Sequence, residues 1–271
     1  MTPRPSRPAR VLASALAVGT LLTTAACSDG ESEGSGATTS PAATGKASPS
    51  PSATVAAVTQ AQAEAALITA ADVEDAWTQA QDPKSWHDTL LTGTVDASQF
   101  VTDKSAAADC QRLIDGLYRD DLLGKPAGAS AVVGFTQNNS RLLQQTAAYD
   151  KAELDKSLSW LAGLADKCAQ FTVKGSGGDR TVQVVEATLP KAGDARQGLT
   201  VSVKGTSNGE PVTLTLDVAA SQVGPNAVTV TNGGTEGVSH DSTANAITFG
   251  TQHLKDVLAG KTPAPAPSQI E

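Results

Sequence analysis

Rings, sulfur and histidine are all scarce in this 271-residue chain. Aromatic residues make up 3% of it, as three Trp, two Tyr and four Phe, and there are only three Cys, three His and one Met. A core built on aromatic packing is therefore excluded, and the interior has to be assembled from Ala, Val and Leu within a hydrophobic share of 39%. The three histidines, His87, His240 and His253, lie too far apart for metal-ligand spacing, and no His-Glu-x-x-His occurs, so no metal or cofactor is expected. A basic cluster is missing too. Twenty Lys and Arg stand against 28 Asp and Glu, for a net charge of −8. That field repels phosphate, so neither nucleic acid nor direct attraction to anionic headgroups is expected.

What is present begins with an export signal. Arg4, Arg7 and Arg10 precede an apolar run from Val11 to Leu22, followed by small residues up to Cys27. The run is too short and too interrupted for a membrane-spanning helix. Thr24-Ala25-Ala26-Cys27 resembles the lipobox of bacterial lipoproteins, in which the cysteine is acylated and becomes the new N-terminus; Thr24 replaces the usual leucine. Residues 1–26 read as a lipoprotein signal peptide and Cys27 as the lipid attachment site. Cleavage there leaves 17 basic against 28 acidic residues, a net −11.

Residues 27–59 are Ser, Gly, Thr, Ala and Pro with almost no large apolar side chain. They cannot offset their ordering entropy and read as a tether. Residues 261–271 alternate proline with small residues and read as a disordered tail. Residues 60–260 form one domain of ordinary size.

Within it, helical spacing predicts Gln60–Val73, Ser105–Leu123, Lys151–Phe171 and Thr243–Leu258 as helices. Asp150 and Glu153 mark the start of the third, and His253 is placed near a solvent edge of the fourth. Strands are predicted at Ser130–Thr136, Arg141–Tyr149, Thr181–Leu189, Leu199–Lys204, Val212–Val218 and Val228–Thr231, with a further one at Leu90–Val95. Polar alternation along the later strands implies an antiparallel sheet solvated on one face. The predicted fold is a two-layer α+β domain with three main helices on one face of that sheet. Cys110 and Cys168 each lie on the apolar side of a helix in an exported chain, which predicts a disulfide between them.

The motif search yields no catalytic residue. Ser239-His240-Asp241 has the residue types of a hydrolase triad, but adjacent residues do not converge as nucleophile, base and orienter, and no nucleophile elbow precedes them. A polar loop leading into the last helix is the reading taken. Gly175–Asp179 is a hairpin turn without the lysine of a phosphate-binding loop. Asp115 and Asp120 point apart on a helix. Trp77 and Trp86 stand in an irregular segment and are either core plugs or the lining of a ligand groove.

A family resemblance rests on three short stretches. Ala65-Ala66-Leu67-Ile68-Thr69-Ala70-Ala71-Asp72-Val73 resembles the Leu-Leu-Thr-Ala-Ala-Asp-Leu opening of actinobacterial extracellular sensor domains. Cys110 within a helix and Cys168-Ala169-Gln170-Phe171 at the end of another resemble the family's later signatures. The chain thus resembles the sensor domains of PknH-type receptor kinases and of free-standing lipoproteins, over about residues 62–260. The resemblance implies a secreted α+β domain with a cleft and a disulfide, although the receptor members use more cysteines. The kinase signatures themselves are missing from this chain.

The expected function is a non-enzymatic envelope lipoprotein, held to the membrane by Cys27. Its domain would bind a small ligand, a lipid or a cell-wall component and work with a membrane signalling protein. The alternative is a cell-wall hydrolase or other envelope enzyme with a site not visible in the sequence. A convergent His/Asp/Ser cluster in the folded chain would favour that alternative.

Overall fold

Among the described residues, eight antiparallel strands form the frame on which the helices are laid. The computed structural model describes residues 55–73, 76–89, 104–175, 178–207 and 209–264. Among them are β1 (Thr78–Gln79), β2 (Ser130–Gln137), β3 (Ser140–Ala148), β4 (Gln170–Gly175), β5 (Gly178–Glu186), β6 (Ala195–Ser207), β7 (Glu210–Val223) and β8 (Asn226–Gly234). Their spatial order is β1-β2-β3-β8-β7-β6-β5-β4. The helices are α1 (Gln60–Ala65), α2 (Lys104–Gly116), α3 (Lys151–Ala162), α4 (Leu164–Lys167) and α5 (His240–Leu258). This is the antiparallel α+β class that the alternation predicts.

The layering differs in one respect. Successive side chains of a strand point to opposite faces, and here both faces carry a core. Leu143, Leu214, Leu216 and Val218 join the cluster containing Cys110, Leu113, Leu154, Leu161 and Leu164 of α2, α3 and α4. Leu142, Ala219, Val228 and Val230 join a second cluster with Ala63 of α1 and Ile247, Leu254 and Val257 of α5. The helices are therefore divided between the two faces of the sheet.

Three predicted element ends move for identifiable reasons. α2 stops at Gly116 because Tyr118 turns to a left-handed φ of 54°. Its buried hydroxyl then lies 2.9 Å from the Arg141 carbonyl and 2.8 Å from that of Gly233, between β3 and β8. The helix predicted to reach Phe171 closes at Ala162, capped by Gly163. A single turn, α4, follows, and Phe171 stands in β4 opposite Val182. Packing begins ahead of Gln60: Val58 is buried, and its N–H donates to the Asn226 side chain at 2.8 Å. The strand predicted at Leu90–Val95 lies outside the described residues, as do the signal, Cys27 and most of the tether.

The disulfide forms as predicted. Cys110 and Cys168 are bonded across 58 residues of chain, tying α2 to the end of α4. Lys167 adds an ion pair to Asp109 at 2.7 Å beside it.

Candidate functional site

A cleft opens where α5 begins, over the part of the α5-side sheet face that the helix leaves uncovered. α5 is started by Ser239, whose Oγ accepts the N–H of Ser242 at 3.1 Å. That cap places His240 in the first turn, directly over β7. One wall is the segment between β5 and β6, fastened at both ends. Ala187 N–H donates to the Gly198 carbonyl at 2.9 Å, and Asp194 N–H to that of Gln222 at 2.7 Å. Gly198 allows this wall to lie close, since a Cβ there would stand 2.6 Å from the Ala187 carbonyl oxygen. The resulting space is about 310 Å³, lined by Glu186, Thr188, Leu189, Thr200, Asp217 and His240 among others.

Asp217 is the organising group. Its side chain is only 4% exposed, whereas that of His240 above it is 68% exposed. Thr200 Oγ1 donates to Asp217 Oδ1 at 2.7 Å, Thr243 Oγ1 donates to Oδ2 at 3.0 Å, and His240 Nδ1 stands 2.6 Å from Oδ2. An ionised carboxylate only accepts, so the hydrogen between the two groups is carried on Nδ1. Asn232, beside Asp217 in register on β8, donates to Thr243 Oγ1 at 3.0 Å and to the Ser239 carbonyl at 2.9 Å.

Position along the sheet explains the cleft. Asp217 and Thr200 lie in register on adjacent strands and Val185 continues the row on β5. α5 packs over β7 and β8, leaving this end of the row open.

The residues singled out in the sequence fare differently. Ser239, His240 and Asp241 do not converge with one another: Ser239 caps α5, and His240 is bonded to Asp217, 23 positions upstream. Sequence reasoning missed Asp217, which stood in a row of strand residues as one more polar side chain. A carboxylate in a strand interior, where Asp is disfavoured, is the signal that would have marked it. His253 is buried on α5 and not at a solvent edge; its Nε2 is 3.2 Å from the Ala264 carbonyl and 3.8 Å from the buried Asp72. The Ala65–Val73 stretch closes locally through Asp72, which accepts from Thr69 N–H at 2.7 Å and from its hydroxyl at 2.8 Å.

Trp77 and Trp86 are both core residues, 4% and 7% exposed, and neither lines the cleft. Trp77 packs in the α5-side cluster and donates from Nε1 to Ser242 Oγ at 3.3 Å. Trp86 lies in the other cluster, edge-on to Tyr118 with ring centroids 5.9 Å apart. Its seat depends on Gly134, where a Cβ would stand 2.7 Å from the Trp86 ring. Among the described residues the pair serves as core, and the rest of the segment expected to border a groove, residues 90–101, lies outside them.

Among the described residues, no group of three His, Cys, Asp or Glu is placed to hold a metal, and no helix is long and apolar enough to cross a membrane.

No protein-family model matches the chain, and no curated protein matches it in sequence. Solved structures do show similarity. The extracellular domain of PknH from Mycobacterium tuberculosis is 15% identical with a TM-score of 0.43, over 76% of this chain and 100% of that one. An uncharacterised Mycobacterium smegmatis protein, the Rv0999 ortholog, is 16% identical with a TM-score of 0.31, over 58% of this chain and 74% of that one.

Proposed function

We propose that this chain is an exported, envelope-anchored domain that binds a small ligand in the cleft beside α5. The observation that carries the reading is the cleft itself, a space of about 310 Å³ with a histidine held over a buried carboxylate. That volume suits a small molecule better than a lipid or a wall polymer. The Cys110–Cys168 bond supports an oxidising compartment. The lipoprotein signal of residues 1–26, acylated Cys27, the tether of residues 27–59, the domain of residues 60–260 and the tail of residues 261–271 complete the proposed arrangement. On this reading the domain is a sensor without an activity of its own and hands its occupancy to a membrane signalling protein.

Native mass spectrometry of the full-length chain after exposure to envelope extract tests it. A small-molecule adduct is expected, and Ala244→Trp, which fills the cleft from α5, is expected to remove it. No adduct, or one unaffected by Ala244→Trp, overturns ligand binding at this place. Cys27→Ser tests the anchor separately and is expected to release the protein from membranes; retention after a high-salt wash overturns it.

A hydrolytic role is the second reading, favoured by the Asp217–His240 pair, which has the form of a base and its orienter. Among the described residues no hydroxyl is bonded to the His240 ring to serve as a nucleophile. The nearby hydroxyls of Thr200 and Thr243 are bonded to Asp217 and not to His240. Turnover of 4-nitrophenyl acetate that disappears in His240→Gln would establish this second reading.

A further inference from the structure

α2 and α3 meet around a second hollow, of about 540 Å³, in the helical layer on the disulfide side of the sheet. Ser157 and Trp160 are three residues apart and so share a face of α3, and Arg112 of α2 reaches both. Its Cζ lies 3.8 Å from the centroid of the Trp160 ring, and its Nη2 donates to Ser157 Oγ at 3.4 Å. The ring takes the face of the guanidinium; the N–H groups lie in the guanidinium plane and stay available to acceptors. The loop beside it is fixed at both ends. Gly124, at a φ of 94°, closes a turn onto the Asp121 carbonyl at 2.7 Å, and a Cβ there would stand 3.9 Å from Arg112 Nη2. Ala127 and Gly128 N–H both donate to the Ala148 carbonyl, at 3.0 and 3.2 Å. Lys125 is carried on this loop and lines the hollow.

The charges around this hollow are unevenly spent. Among the described residues Arg112 has no carboxylate partner, and Lys125, exposed on its loop, has none either. The two acids of the lining are already engaged. Asp150 Oδ1 accepts the N–H groups of Ala152 and Glu153 at 3.0 and 3.1 Å, starting α3, and Glu153 is paired with Lys156 at 2.7 Å. Hydrogens are in surplus as well. Ser157 accepts from Arg112 and so keeps its own hydroxyl hydrogen to give. Tyr149 directs its hydrogen to Gln145, 3.4 Å away. Arg112, Lys125 and Lys156 thus stand against Asp150 and Glu153 in the lining, a positive balance in a chain whose net charge is −8.

We propose that this hollow binds the oxyanion of a small molecule, a carboxylate or a phosphate, through Arg112. Lys125 adds charge from the loop and Ser157 a hydrogen. Two oxygens in one plane match the fork of a guanidinium. Stacking on Trp160 fixes a long side chain in advance, so that less rotamer freedom is lost when the anion arrives. An ammonium group would instead face the charges of Arg112 and Lys125, and a neutral alcohol would gain nothing from either. The site lies in a different layer from the cleft beside α5 and does not depend on it.

Titration calorimetry of the full-length chain tests this with succinate, inorganic phosphate, butane-1,4-diol and butane-1,4-diamine at matched ionic strength. Saturable binding of succinate or phosphate is expected, and the tighter of the two identifies the oxyanion. Arg112→Lys keeps a positive charge but loses the fork, and is expected to weaken binding about tenfold, as for one lost hydrogen bond to a charged group. Lys125→Gln is expected to weaken it about two- to fivefold, as for an exposed charge pair. Tryptophan emission locates the event. Trp160 is partly buried against Arg112, whereas Trp77 and Trp86 lie in the cores, so the anion is expected to change emission in the natural chain and not in Trp160→Phe. Binding of neither anion, or the diol or diamine matching the better one, would overturn the proposal. So would an emission change that survives Trp160→Phe, or an affinity unchanged in Arg112→Lys (in Lys125→Gln, should the first variant not fold). The adduct from envelope extract and its loss in Ala244→Trp decide the cleft separately.

Discussion

In β8 every residue from Asn226 to Gly234 is buried, whereas along β5, from Gly178 to Glu186, burial alternates once the strand enters the sheet. The two strands differ in what lies above them. β8 is central, with α5 over one face and the disulfide-linked helices serving the other. β5 is next to the edge, and only its Val182 and Val184 face meets a helical layer. Covering both faces forces polar residues of β8 into the interior, where each needs a partner. Asn226 takes the Val58 N–H and donates to the Ala56 carbonyl at 2.9 Å; Thr229 meets Gln145 at 3.4 Å; Asn232 ties the start of α5. The open half needs no such arrangement, and the cleft forms at the boundary between the two.

The comparison can be broken most sharply at the tryptophans, one on each side of the covered half. Trp77→Ala and Trp86→Ala are each expected to lower stability by about 3–5 kcal/mol, the usual range for a buried ring. Urea unfolding measures this, and the small-molecule adduct in the cleft is expected to survive in the folded fraction. A variant that folds with unchanged stability but loses cleft binding would restore the tryptophans to a ligand-lining role.

The disulfide comes next. It serves only the layer of α2 and α4, so Cys110→Ala with Cys168→Ala weakens that layer and leaves α5 untouched. Chain entropy for a closed segment of 58 residues puts the loss at up to about 4 kcal/mol. Hydrogen exchange is expected to rise in α2, α3 and α4 before α5. Uniform loosening of both layers would show that the sheet couples them more tightly than their separate cores imply.

Alkaline pH acts on the same covered layer through two tyrosines. Burial drives the Tyr118 hydroxyl well above the ordinary tyrosine range, with Arg141 opposing it weakly. Burial does the same to Tyr149, assisted by Asp120 and Asp121. A raised folded-state value means that the unfolded chain loses its protons first. The stabilisation is complete below the unfolded value of about 10 and declines as pH rises past it, by about 1.4 kcal/mol per pH unit for each tyrosine. Tyr118→Phe is expected to flatten part of that decline in unfolding measured between about pH 9.5 and 11. An unchanged slope would show that this hydroxyl does not ionise on unfolding.

Legibility of the fold followed the same division. Alternation was plain in β5 and in the first half of β7, where side chains differ in exposure from one position to the next, and it gave the antiparallel α+β class. It failed in β8, because buried Thr and Asn look in sequence like a solvated face; the second helical layer went unseen for that reason. The cysteine pair was legible because two apolar helical positions in a chain whose sequence reads as exported leave few alternatives. The cleft was not. His240 was noticed beside Ser239 and Asp241, but its partner is Asp217 on another strand, and only the register of β7 against α5 brings them together. Trp77 and Trp86 drew notice by rarity, and rarity does not distinguish a core plug from a lining residue.

The smallest effect isolates the principle within a single strand. Val184 and Val185 are neighbours on β5; the first is 1% exposed and the second 44%. Val184 faces Val201 across the ladder and lies in the disulfide-side cluster, while Val185 faces Thr200 at the edge of the cleft row. Threonine has nearly the shape of valine and keeps the β-branch that suits a strand, so the substitution exchanges a methyl for a hydroxyl with little else. At 184 the hydroxyl would sit among apolar side chains without a partner, and the expected loss is about 1–3 kcal/mol. At 185 water satisfies it, and the expected change stays within about 0.5 kcal/mol. Paired denaturation curves under identical conditions measure the difference. Equal losses at the two positions would mean that the outer face of β5 is covered in solution, and the cleft beside it would then have a lid.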